Sequence, residues 1–191
     1  MEEQQRKVLA HHGNGAGLYA SKNLIFATDV QYAENNALAA GLFFPDWESD
    51  KIDQQILKTI DQIAPYEPGA FYKRELPCIL SLLEDVDRSL EAIVIDGFVT
   101  LGDDKKDGLG MHLYNNIQQT IPIIGVAKKA FVGTPENCQI FRGKSNNPLY
   151  ITSVGIPLSE AKKLITQMHG ENRIPTLLNK VDQLCRGINA T

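Results

Sequence analysis

The chain has 191 residues, 43% of them hydrophobic and 22% charged, a length that suits one compact domain able to bury its own core without disulfide or metal staples. Nineteen Lys and Arg against 23 Asp and Glu leave a net charge of -4, which excludes a generally basic protein that coats nucleic acid by summed phosphate attraction, so any such contact has to be local. Cys78, Cys138 and Cys185 lie far apart with no CxxC pair, which suggests neither a disulfide framework nor a zinc cage, and no apolar run approaches the roughly 18 to 20 residues of a membrane span.

With a polar start at Met1 to Arg6 and no repeat or linker, the reading is one domain over residues 1–191, soluble, cytoplasmic and monomeric. The apolar runs Leu24 to Tyr32 and Asn36 to Phe44, parted by Ala33-Glu34-Asn35, predict an antiparallel hairpin. Lys51 to Ile63 is ambiguous: Ile52, Ile56, Ile60 and Ile63 fit helical spacing, while the first three also share one strand face, and periodicity alone leans towards helix. Leu76, Ile79, Leu80, Leu83, Val86 and Leu90 recur every three or four residues, predicting an amphipathic helix over Arg74 to Leu90, with Glu75 at its start and Pro77 tolerated in its first turn.

Ala92 to Ile95, ending at Asp96-Gly97, and Ile121 to Val126, ahead of Lys128, are β-branched runs of the kind found in sheets covered on both faces. Between them Asp107 is placed to cap a helix through Leu109, Leu113 and Ile117, and strand, helix, strand implies a right-handed parallel crossover. Pro148 to Val154 reads as a further strand, and Leu158 to Met168 and Ile174 to Cys185 read as helices. The class is α/β with a mixed sheet: a hairpin first, parallel strands later.

Two carboxylates stand out. Asp29 sits inside the apolar run Ile25 to Val30, and Asp96 ends another; a charge there is costly unless something pairs with it. A turn cap or a neighbouring Lys would account for either one singly. If the two strands are neighbours, both carboxylates meet at the C-terminal edge of the sheet, where open α/β sheets bind ligands. With Glu75 they make an all-oxygen cluster, which favours Mg²⁺ or Mn²⁺ over zinc and suggests phosphodiester chemistry.

Phe26-Ala-Thr-Asp-Val-Gln-Tyr32, Pro65-Tyr-Glu-Pro-Gly69 with Arg74-Glu75, Ile95-Asp-Gly97, Gly108-Leu-Gly-Met-His-Leu113 and Ile124-Gly-Val-Ala-Lys128 resemble, in order, the motifs of endonuclease V. With Tyr150 to Gly155, Ile174-Pro175 and Leu184-Cys-Arg186 the resemblance spans roughly residues 20 to 187. It implies an RNase H-like fold, mixed sheet with helices on both faces, in which Lys51 to Ile63 is largely the third strand. It implies cleavage of DNA or RNA at the second phosphodiester on the 3′ side of inosine or another damaged base, using Mg²⁺ or Mn²⁺. Carried over by motif, Asp29 and Asp96 are direct metal ligands and Glu75 acts through metal-bound water. Tyr66, beside Pro65, is the wedge that fills the gap left by an extruded base, Lys128 lies near the phosphate, and Gly69, Gly97 and Gly125 let backbone approach base and sugar.

The chain departs from that pattern at two places. Where the family usually reads Asp-Gly-His-Gly with another His soon after, Asp96-Gly97 runs into Phe98-Val-Thr, and the C-terminal Val-Gly-His becomes Val154-Gly155-Ile156. His112 reads as half-buried on its helix, and His11, His12 and His169 have no acidic partner at ligand spacing. A fold that binds modified or single-stranded nucleic acid without cutting it is the alternative reading.

Overall fold

The computed structural model describes residues 23–34, 36–61, 63–65, 67 and 70–188. Its architecture follows from period-two alternation in three buried strands. In β1 (Leu24–Tyr32), Ile25 and Ala27 face one way and Leu24, Phe26 and Val30 the other, into two separate apolar cores. A strand with no polar face has to be covered on both sides.

β1 pairs antiparallel with β2 (Ala37–Phe44), and β2 antiparallel with β3 (Gln54–Ile60). The chain then forms α1 (Tyr72–Leu83) and returns as β4 (Leu90–Asp96), parallel to β1 on its other side. A short hairpin of β5 (Thr100–Leu101) and β6 (Lys106–Asp107) leads into α2 (Leu109–Asn116), and β7 (Ile123–Ala127) runs parallel to β4, completing the expected crossover. β8 (Gln139–Ile140) and β9 (Leu149–Val154) add antiparallel strands at the far side, and α3 (Leu158–Gln167) and α4 (Thr176–Cys185) follow. The seven-stranded order is β3-β2-β1-β4-β7-β9-β8. Helices α1 and α2 cover one face, α3 and α4 the other, an RNase H-like arrangement.

Three expectations need correction. Lys51 to Ile63 is not helical: β3 is an edge strand whose Ile56 and Ile60 turn inward, while Leu57 is exposed. The helix expected over Arg74 to Leu90 runs from Tyr72 and ends at Leu83, because Leu90 opens β4; Pro77 therefore lies in its second turn. Asp107 does not cap α2. The first turn of that helix gives its N–H groups to carbonyls of the preceding loop, Gly108 and Met111 to Val99 and Gly110 to Phe98, which meets the donors a helix start leaves unpaired. Among the described residues no helix is long and apolar enough to cross a membrane.

Candidate active site

Three strands continue one pattern to the same place. Ile25 and Ala27 of β1, Ala92 and Val94 of β4, and Ile124 and Val126 of β7 face the α3 and α4 layer. Asp29, Asp96 and Lys128 are the next residues of those three rows, so strand periodicity aims all three side chains at that layer at the C-terminal edge of the parallel strands. From the opposite side α4 lays Leu177, Val181, Leu184 and Cys185 against the sheet, and this docking brings in Asp182.

Oxygen atoms of Asp29, Asp96 and Asp182 lie within 4.8 Å of one another. Lys128 Nζ bridges two of them, 2.8 Å from Asp96 Oδ2 and 3.2 Å from Asp182 Oδ1, and Arg186 pairs with Asp182 from one turn on. A cleft opens beside them, with Ile174, Leu178 and Val181 of the C-terminal segment forming its apolar wall.

The electrostatics record the crowding. Burial, then repulsion from Asp96, pushes the Asp29 carboxyl up to about 7, against the pull of Lys128 and of the Val30 N–H that donates to its Oδ1. Burial also raises Asp182, but hydrogen bonds from Arg186 and Lys128 outweigh it and leave that carboxyl below its ordinary value. Burial opposes the charge of Lys128, and the hydrogen bond it donates to Asp96, with the surrounding carboxylates, more than restores it, so its ammonium is held above the usual range. Excess negative charge of this kind is what a bound cation relieves.

Glu75 stands outside the group of three, close enough to Asp29 and Asp96 to be repelled by both. It is 3% exposed in the first turn of α1, in the layer across the sheet, and is not among the three carboxylates that converge. Burial first, then repulsion from Asp29 and Asp96, raises its carboxyl well above the ordinary value. Asp182, absent from the sequence reading, takes the third position. Its signal was present but weak: an acid between Val181 and Cys185, on the margin of a buried stripe.

An all-oxygen set suits a hard divalent ion. Octahedral ligands about 2.1 Å from an ion stand roughly 3.0 Å apart when adjacent and 4.2 Å when opposite, so a small closure of three carboxylates within 4.8 Å reaches that geometry.

The backbone beyond Asp96 is held by its own packing. Gly97 has φ +143°, a conformation that side chains oppose. A Cβ on Gly125 would lie 2.6 Å from the Gly97 carbonyl oxygen and 2.7 Å from Thr152 Oγ1. On that side the close approach to Gly125 is made by the chain itself, not by a base or sugar. This lets the Val99 N–H cross β7 and donate to Thr152 Oγ1 at 2.8 Å. Thr152→Val, which keeps the volume and removes the acceptor, should cost about 1 to 3 kcal/mol, since a buried N–H loses its partner. Urea unfolding measures this, and a variant within error of the wild type would mean the latch is inert.

Tyr66 and Gly69 lie outside the described residues, as do His11 and His12; Pro65 is exposed between β3 and α1. Phe98, where the family pattern has His, packs edge-on to Phe131, ring centres 6.4 Å apart. His112 stacks on Tyr72 at 3.7 Å and His169 Nδ1 is 3.0 Å from Thr176 Oγ1. Neither histidine joins the carboxylates.

The profile of the family described as Endonuclease V matches residues 8–155. The chain is 32% identical to the endonuclease V of Thermococcus kodakarensis over 193 residues, covering 98% of this chain and 90% of that protein. It is 32% identical to that of Pyrococcus abyssi over 167 residues, covering 85% and 79%. Among solved structures, a Ciona intestinalis endonuclease V in complex with a 23mer DNA containing an inosine followed by a ribo-adenosine superposes with a TM-score of 0.68 at 15% identity, covering 88% of this chain and 86% of that one.

Proposed function

Because the chain belongs to the endonuclease V family and is by that membership an endonuclease, we propose that it is metal-dependent and cuts DNA or RNA on the 3′ side of inosine or another damaged base. The observation that carries this reading is the convergence of Asp29, Asp96 and Asp182 at one sheet edge. These three hold Mg²⁺ or Mn²⁺. When bound there, such an ion would supply Lewis-acid polarisation of the scissile phosphate and a more acidic water near neutral pH.

The remaining roles fall to the chain's own groups. Lys128 offers its ammonium to a phosphate oxygen. Glu75, drawn towards its protonated form by burial and by its acidic neighbours, acts through a metal-bound water and not as a direct ligand. Tyr66, with Pro65 and Gly69, wedges into the stack where the altered base leaves it, and the Gly97 backbone lines the space for that base. The enzyme works as a cytoplasmic monomer; its free cysteines, Cys78, Cys138 and Cys185, suit a reducing compartment.

Labelled strands carrying deoxyinosine, inosine, uracil or an abasic site, incubated with Mg²⁺ or Mn²⁺, test the reading. The expected result is a nick 3′ of inosine that disappears with EDTA and with Asp96→Asn. A second reading, a binder without turnover, is favoured by one observation: Phe98 and Ile156 stand where the family pattern has histidines. Salt-sensitive binding with no nick on any strand would establish that reading in place of the first.

A further inference from the structure

The ammonium of Lys128 lies on the oxygen atoms that a divalent ion would need. It bridges Asp96 Oδ2 and Asp182 Oδ1 at 2.8 and 3.2 Å, and both residues belong to the group whose oxygens converge within 4.8 Å. An ion bound to Asp96 Oδ2 at about 2.1 Å lies no further than about 4.9 Å from Nζ at its present position, 2.8 Å from that oxygen. Two cations at that separation, in a half-buried site beside an apolar wall, repel strongly. Other donors are in place around the cluster: Arg186 holds Asp182 from the solvent side, and the Val30 N–H donates to Asp29. Among the described residues Lys128 alone is shared between two of the converging carboxylates.

We propose that Lys128 is an exchangeable counterion: its ammonium holds Asp96 and Asp182 together until a divalent cation enters, is displaced by that cation, and is thereby released towards the phosphate. The inference rests on the metal-dependent reading given above. It adds that Lys128 opposes metal binding, whereas a residue serving only the phosphate would leave it unchanged. It also orders events, since Lys128 becomes free for substrate only after the cation has taken its partners.

The site supports this geometrically. Lys128 follows the last residue of β7, where the chain leaves the sheet, and its side chain is 37% exposed, so it can swing out without disturbing the core. The carboxylates have less freedom, because Asp29 is 8% exposed within β1 and Asp182 is fixed on a docked helix.

Calorimetric titration of Mn²⁺ into the whole protein, without nucleic acid, tests the inference. Lys128→Met, which keeps the length and removes the charge, should bind Mn²⁺ roughly tenfold tighter or more, since the competing cation is gone, while Lys128→Arg should bind no tighter than the wild type. Equal or weaker binding by Lys128→Met would overturn the proposal. The absence of Mn²⁺ binding by the wild type and by Lys128→Met alike would remove the metal-dependent reading, and this inference with it. If Lys128→Met does not fold, reductive methylation of wild-type lysines, followed by peptide mass spectrometry, supplies the decision. Mg²⁺ should speed labelling of Lys128 several-fold and leave Lys144 unchanged; a Lys128 rate unaffected or slowed by Mg²⁺ would overturn the proposal.

Discussion

Arg142→Met should lower the thermal midpoint by roughly 8 to 16 °C and abolish cutting, although Arg142 touches none of the carboxylates. The side chain is 5% exposed and has no acidic partner among the described ion pairs. Its guanidinium instead donates to the carbonyls of Thr166, Met168, Gly170, Asn172 and Arg173, which span the end of α3 and the turn into α4. Carbonyls at the end of a helix carry partial negative charge, so a cation belongs there. Removing it leaves several buried acceptors without donors at about 1 to 3 kcal/mol each, partly recovered by water, or roughly 4 kcal/mol in all. For a chain of this size each kcal/mol moves the midpoint by about 2 to 4 °C. Lys should not rescue, because three donors on a point cannot meet five spread carbonyls. The turn sets the start of α4, and α4 carries Asp182, so activity should fall with stability. A midpoint within about 2 °C of the wild type would show that the turn holds itself.

Asp29→Asn should have the opposite effect on stability and the same effect on cutting. Burial and Asp96 raise the Asp29 carboxyl from 3.8 to about 7. The folded protein therefore binds this proton more tightly than the unfolded chain, and stability falls as pH rises between those two values. Below the lower one the penalty vanishes; above the upper one it is complete, at roughly 2 to 4 kcal/mol. In EDTA at pH 8, Asp29→Asn should thus unfold later than the wild type, and near pH 4 the two should coincide. The amide oxygen can still accept from the Val30 N–H, so no other contact is lost. Added Mn²⁺ should reverse the order, since only the wild type gains from binding it. An Asn variant less stable at pH 8 in EDTA would mean that Lys128 over-neutralises the cluster.

The strands that build the site were legible because each is an uninterrupted apolar run, and a carboxylate inside such a run is conspicuous. Asp29 and Asp96 stood out for that reason, but the crossover joins β4 to β7, and the parallel pairing of β1 with β4 stayed a condition until the fold supplied it. β3 was not legible from periodicity: Ile52, Ile56 and Ile60 sit four apart, a spacing that strand and helix share, and an edge strand tolerates the intervening Leu57 and Lys58 in solvent. The helix ending at Leu83 was read too long because Val86 and Leu90 fall in phase by coincidence with a turn and a strand. Asp182 was missed for a physical reason. On a helix an acid beside the buried stripe is ordinary, and only the docking of α4 against β1 and β2 decides that it faces other acids.

That docking has a temporal consequence. The converging carboxylates come from β1, the first strand of the described chain, from β4, and from α4, its last helix. A chain with α4 undocked holds two of the three acids and no wall to the cleft, and one apolar face of β1 and β2 stands uncovered. Catalytic competence is therefore tied to the docking of the terminal helix, so a protease that nicks the turn ahead of α4 should silence the enzyme as soon as that helix frays.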